Sequence, residues 1–189
     1  MGDNRLTRIT TRTGDDGMTG LANGTRLAKT HPRVIAIGEV DELNAALGML
    51  AVSPGLAPSL AARLRDAQHR LFELGGELAL PGREILDRQA LAELEADITA
   101  WNASLPPLTE FVLPGGCEAS ARAHLARAVC RRAERALWLL HAQEPAVTQD
   151  AAARFLNRLS DWLFVASRLL AHESGTDAME PLWRGIEPL

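Results

Sequence analysis

The chain has 189 residues, of which 47% are apolar and 23% charged, an ordinary globular balance that excludes a disordered chain and suits one self-stabilising domain. A formal net charge of only −4 argues against a broad nucleic-acid surface, so any anion site has to come from local clustering of arginine. No run approaches the roughly 18 uncharged apolar residues that cross a bilayer, and the start, MGDNRLTRIT, lacks the apolar core of a secretory signal.

The first element is not an ordinary one. TRTGDDGMTG, Thr11 to Gly20, holds three glycines and three threonines, with Met18 its one apolar side chain. Glycines let a backbone present N–H groups to an anion, and threonine hydroxyls add donors; the alternative is a frayed terminus. No G-x-x-x-x-G-K-[ST] occurs and no strand precedes the segment, so it is not a Walker A loop.

A helix follows from Pro32, which suits a first turn, with Val40, Leu43, Leu47 and Leu50 as its apolar stripe. A second runs from about Pro58 to Leu80 through Leu60, Leu64, Leu71, Leu74 and Leu78. Asp87 is a cap for a third helix, which places Leu91, Leu94, Ile98 and Trp101 on one side. LPPLTEFVLPGG is a loop whose prolines and glycines frame an apolar tip, Phe111-Val112-Leu113. A long helix is predicted over Glu118–Gln143, and a last one from beyond Pro145 to about His172 with Phe155, Leu159, Leu163 and Leu170 inward. No alternating strand pattern of useful length appears. The prediction is an all-α, five-helix antiparallel bundle: a single domain over 1–189, with an N-terminal segment (1–30), the bundle (31–173) and a C-terminal tail (174–189). Cys117 and Cys130 lack metal-like spacing. On one helix they stand about 20 Å apart, too far for a bridge, so they read as reduced structural thiols.

Chemistry concentrates on the fourth helix. Arg127, Arg131 and Arg135 stand at i, i+4 and i+8 and share a face, and from Arg122 to Arg135 there are five arginines and one acid. They form either a solvated face or a site for a polyphosphate, whose oxygens guanidinium binds bidentately. On the fifth helix Asn157 and Asp161 lie one turn apart, as a hydrogen-bonded polar pair within the core or as a contact to a polar ligand. Glu39, Asp41 and Glu42 on the first helix are complementary in charge to the arginines. A ferritin-like metal bundle would need Glu-x-x-His pairs, and none occurs. A non-catalytic nucleotide-binding adaptor stays open on these residues. Nucleic-acid binding through the arginine helix is disfavoured by the net charge and by interleaved residues that are apolar rather than stacking.

TRTGDDGMT, GEVDELN, FVLPGG, RRAER and NRLSD, in this order and approximate spacing, resemble the ATP:cob(I)alamin adenosyltransferases of the trimeric PduO-type class, from about Thr11 to Leu170. The resemblance implies a five-helix bundle that assembles as a homotrimer, with an active site at each subunit interface. Cobalt of cob(I)alamin attacks the ribose C5′ of ATP, triphosphate leaves and adenosylcobalamin forms. Mg²⁺ would accompany the triphosphate, with no ligands assigned in the chain. The resemblance further implies that Thr11, Arg12, Thr13, Gly14, Thr19, Gly20 and Lys29 contact nucleotide through a segment that becomes ordered over it. Arg131, Arg132, Ala133, Glu134, Arg135 and Asn157 come from the neighbouring subunit. Arg127 and Asp41 match a pair that bridges the interface, and Phe111 matches the aromatic residue covering the lower face of the corrin. Arg131, Arg127, Asp41 and Phe111 are expected to carry turnover. Arg12 stands where many members have lysine, a similar but not identical phosphate contact. The implied partners are ATP, cobalamin and an adenosylcobalamin-dependent enzyme that takes the product, with no nucleic acid and no membrane, in the cytoplasm.

These residue types suit such a reaction. Cobalt(I) is already a strong nucleophile and needs no base, so the protein has to position C5′ and stabilise charge on the leaving triphosphate. Cob(II)alamin is easier to reduce without an axial ligand. No histidine lies in a D-x-H-x-x-G arrangement, and Phe111 offers an apolar surface instead. The plain alternative for Phe111 is packing under its loop.

Overall fold

The computed structural model describes residues 10, 12–82, 86–87, 89–147, 150–175 and 180–185. Its helices are α1 (Pro32–Ala51), α2 (Pro58–Ala79), α3 (Gln89–Asn102), α4 (Glu118–Gln143) and α5 (Asp150–Glu173). Local chemistry starts α1 and α3 where the sequence predicts, and α4 through a cap the sequence did not announce. Pro32 sits in the first turn of α1, whose cap His31 accepts the Arg33 N–H. Asp87 accepts the Gln89 N–H ahead of α3 at 2.9 Å, and the Cys117 thiol accepts the Ser120 N–H at the start of α4.

The predicted stripes of α1, α2 and α5 are buried in the core, whereas of the α3 stripe Leu94 is buried, Ile98 and Trp101 pack half-buried against the core, and Leu91 stays half-buried outside it. Val40, Leu43, Leu47 and Leu50 of α1 face Leu64, Leu71, Leu74 and Leu78 of α2, and Leu156, Leu159, Trp162 and Leu163 of α5 are buried with them. Helices α1 and α2 are also stitched by a reciprocal amide pair, Asn44 Nδ2 to Gln68 O and Gln68 Nε2 to Asn44 O. Cys130 is buried in α4, donates to Leu156 O and is free, as is Cys117. Burial pushes the Cys130 thiol up, out of the reactive range.

Packing runs α2, α1, α4, α5, α3, and Arg63 of α2 on Asp97 of α3, at 2.7 Å, closes the ring. A ring with an odd number of helices cannot alternate all the way round. The parallel neighbours are α3 and α5: Arg158 meets Glu95, Trp162 meets Asp97 and Arg168 meets Pro106, advancing together along the chain. Helices α1 and α4 are antiparallel, since Arg122 near the start of α4 reaches Met49 O while Glu144 beyond its end reaches Arg33.

Two short strands were not expected. Strands β1 (Met18–Gly20) and β2 (Arg26–Ala28) pair antiparallel, Met18 with Ala28 and Gly20 with Arg26. Each has three residues, most of them half-buried, so no alternation is long enough to read. An isolated bridge joins Val112 in the loop before α4 to Leu182 in the C-terminal tail. No helix among the described residues is long and apolar enough to cross a membrane.

Candidate functional site

The Gly/Thr segment is a built hairpin at one end of the bundle. Asp16 accepts the Met18 N–H at 3.0 Å, a short-range Asx bond that turns the chain. Arg26 then ties the turn from β2, donating to Thr13 O at 2.9 Å and to the Asp16 carboxylate at 3.3 Å. The Lys29 N–H bonds Gly17 O, so the lysine returns beside the turn. Its side chain passes over Gly14, where a Cβ would stand 3.4 Å from Lys29 Nζ and 3.1 Å from Met18 O. Thr13, Gly14, Thr19, Gly20 and Lys29 all belong to this hairpin or flank it, and Arg12 just ahead of it is exposed. Thr11 lies outside the described residues. The hairpin is rooted on the bundle by Glu144, just past α4, which pairs with buried Arg33 and stands 3.5 Å from His31.

The outer surface of α4 carries two stripes. Arg127, Arg131 and Arg135 fall within about 80° of arc. Arg131 and Arg135 are exposed, and Arg135 bonds Arg131 O. None of the three has an acidic partner among the described residues, and Arg127 keeps a buried Nε with no partner. The second stripe is Leu125, Arg132 and Leu139, spaced by seven. Arg132 is neutralised by Glu42 and Glu39, and those hydrogen bonds, Glu42 first, hold its guanidinium protonated still more firmly than usual. Leu125, Trp138 and Leu139 of α4 and Ile35 and Met49 of α1 are exposed apolar side chains on these two helices. Glu134 is half-buried, whereas Ala133 has no exposed surface. What Ala133 offers the site is core packing that seats its neighbours.

Asn157 and Asp161 do not form the polar core pair that remained open. Asp161 accepts from Arg158 at 2.7 Å, and Asn157 is exposed, its side chain without a hydrogen bond among the described residues. The apolar helix buries its other side, so these two face outward. Asp41 is likewise exposed and unpaired among the described residues.

Phe111 sits at the opposite end from the hairpin and is 75% exposed, so it does not pack under its loop. Its ring meets Trp183 edge-on, with centroids 6.1 Å apart. Helix α4 separates the two ends: its 26 residues measure about 39 Å. One chain therefore does not bring the hairpin and the tip together. Near the tip His124 is buried against Phe164; burial first, and Arg127 second, press its pKa down and keep it neutral. Among the described residues no three metal-binding side chains converge.

Sequence reasoning passed over Arg26, the Arg33–Glu144 root and the tail residues Glu180 to Trp183. Asp16 and Asn23, each two residues ahead of the N–H it accepts, gave a readable turn signal. The other contacts join distant parts of the chain and left none.

A family model described as cobalamin adenosyltransferase matches residues 9–170. A cobalamin adenosyltransferase from Cupriavidus metallidurans is 48% identical over 181 residues, covering 96% of each chain. A corrinoid adenosyltransferase from Mycobacterium tuberculosis is 42% identical over 186 residues, covering 95% of this chain and 94% of that one. Among solved structures, a variant PduO-type ATP:corrinoid adenosyltransferase from Lactobacillus reuteri, complexed with cobalamin and ATP, superposes with a TM-score of 0.88 at 32% identity, over 94% of this chain and 100% of that one.

Proposed function

The chain belongs to the cobalamin adenosyltransferase family and is an ATP-dependent transferase of the adenosyl group to cobalamin; from that premise we propose how its residues perform the transfer. The hairpin of one protomer and the arginine stripe of a neighbour's α4 clamp the triphosphate of ATP, while Phe111 faces the lower side of the corrin. The observation that carries this is the stripe itself: Arg131 and Arg135 are exposed and have no acidic partner among the described residues, while Arg132 beside them has two. Like charges one turn apart repel, and a bound polyphosphate would compensate them.

In this mechanism cobalt(I) of the substrate donates its electron pair to ribose C5′, and the new Co–C bond forms as the C5′–O5′ bond breaks. The bonding pair stays on oxygen, triphosphate leaves, and cobalt ends as cobalt(III). Arg131 and Arg135 meet the charge that grows on the leaving group. Thr13, Gly14, Thr19, Gly20, Lys29 and Arg12 hold the nucleotide from the hairpin side and exclude water, with Thr11 proposed beside them; Arg132, Glu134 and Asn157 border the site. A Mg²⁺ ion on the triphosphate belongs to the proposal, held there by phosphate oxygens, since the described residues offer it no protein cage.

Separation of the two ends by about 39 Å supports an active site shared between protomers, because reacting atoms have to come within about 3.5 Å. Exposed Ile35, Met49, Leu125 and Leu139 fit a covered face, and a closed trimer, with Arg127 meeting Asp41 of its neighbour, is the proposed assembly. A cytoplasmic setting suits the free cysteines, and hand-over to an adenosylcobalamin-dependent enzyme completes the proposal. An anaerobic assay with ATP and cob(I)alamin, following the corrin absorbance, tests it. Loss of turnover in Arg131→Ala with an unchanged circular dichroism spectrum is expected; near-normal kcat/KM would remove the arginine clamp.

A further inference from the structure

Because Phe111 is mostly exposed, core packing does not aim it, and its direction comes from its backbone. Among the described residues that backbone is held by the C-terminal tail. The Trp183 N–H donates to Phe111 O at 2.8 Å and the Leu113 N–H donates to Pro181 O at 2.7 Å, around the bridge between Val112 and Leu182. Among the described residues the Phe111 N–H bonds only its neighbour Glu110, which moves with the loop. Tail and loop run so close that a Cβ on Gly115 would stand 3.3 Å from Pro181 Cγ.

The tail in turn has a post. Arg168 of α5, 3% exposed, donates through Nε to Glu180 Oε1 at 2.6 Å and through Nη2 to Glu180 Oε2 at 3.2 Å. The same Nη2 donates to Pro106 O at 2.8 Å. One buried guanidinium thus holds the start of the tip loop and the start of the tail segment, and the tail then holds the tip. His172 lies 3.3 Å from Glu180 on the other side. A buried pair of this kind adds little stability over a well-packed apolar replacement. Its forked geometry, however, fixes direction as well as distance.

We propose that the Arg168–Glu180 pair sets how the Phe111 tip meets the corrin, so that both are positioning residues for the reaction although neither touches a substrate. The inference rests on the reading of Phe111 as the group that keeps an axial ligand off the lower face of the corrin.

The test compares full-length wild type, Glu180→Gln, Arg168→Lys, Phe111→Ala and the Phe111→Ala/Glu180→Gln double variant. Each is assayed anaerobically from cob(II)alamin with a chemical reductant and from pre-reduced cob(I)alamin. Electron paramagnetic resonance of bound cob(II)alamin with ATP reads the fraction lacking an axial ligand. Glu180→Gln is expected to lose about 10- to 100-fold from cob(II)alamin, as small misplacements do, and under about threefold from cob(I)alamin, with KM for ATP unchanged. The ligand-free fraction falls with it, Arg168→Lys is intermediate, and Glu180→Gln adds nothing once Phe111 is alanine. Equal losses in both assays, or additive losses in the double variant, overturn the proposal. If Phe111→Ala is selective and Glu180→Gln is not, the post alone fails; if Phe111→Ala slows both assays alike, the reading of Phe111 fails and the post with it. Should Glu180→Gln not stay folded at the assay temperature, Trp183→Pro, which deletes the N–H on Phe111, carries the same expectation and is overturned by the same results.

Discussion

The hairpin at one end of α4 and the Phe111 tip at the other are held in opposite ways. The bonds that shape the hairpin lie within it: Asp16 to Met18 and Asn23 to Thr25 span two residues, and Arg26 reaches back thirteen to Thr13. The tip depends on a tail about seventy residues further along, through Trp183 to Phe111 and Arg168 to Glu180. A locally bonded element keeps its shape wherever it is carried and suits a flap over a flexible triphosphate. An element braced from afar is rigid only in its finished setting, which suits a surface that has to meet a flat, rigid corrin.

Four perturbations break or sharpen that contrast. The largest acts where both substrates depend on one helix: Arg131→Ala should lower kcat/KM by about 10²- to 10³-fold, the size of a lost oxyanion donor. Its melting temperature should stay within about 2 °C, since Arg131 is exposed. Next, Phe111→Ala should cost about 10²-fold in assays begun from cob(II)alamin and far less from cob(I)alamin. Stopped-flow traces in the two formats decide it, and equal losses would erase the functional difference between the ends. Third, Lys29→Ala should raise KM for ATP about tenfold, the worth of one charge-assisted contact, and leave both cobalt formats affected alike. A selective loss from cob(II)alamin would mean that the hairpin also serves the corrin.

The smallest effect is that of acid on the tip end. Burial opposes ionisation of Glu180, but hydrogen bonds from Arg168 and His172 outweigh it and hold the carboxyl below its usual range. Folding therefore gains from Glu180 above the unfolded pKa of about 4.3, and the gain is lost as pH falls through the lower, folded value. Thermal melts between pH 3 and 6 should show wild type losing its advantage over Glu180→Gln at the acid end. Parallel curves would contradict the linkage.

The same contrast explains what could be read in advance. The stripes Val40-Leu43-Leu47-Leu50 and Leu60-Leu64-Leu71 and the Asp87 cap are periodic or local, so they were legible and stand in the fold as predicted. The arginine stripe was visible, yet its meaning was not. Only the structure separates Arg132, neutralised by Glu39 and Glu42, from Arg131 one residue before it. Strands β1 and β2 were too short to show a period. Arg33 with Glu144 and Arg168 with Glu180 were invisible because neither partner's neighbourhood names the other.

That the hairpin and the arginine stripe of one site come from different protomers is tested most directly by complementation. Lys29→Ala/Arg12→Ala and Arg131→Ala subunits, each poorly active alone, are co-expressed in equal amounts. The account predicts recovery to about a quarter of wild-type activity, since that share of interfaces pairs an intact hairpin with an intact stripe. A mixture no more active than its separate components would place the whole site within one chain and contradict it.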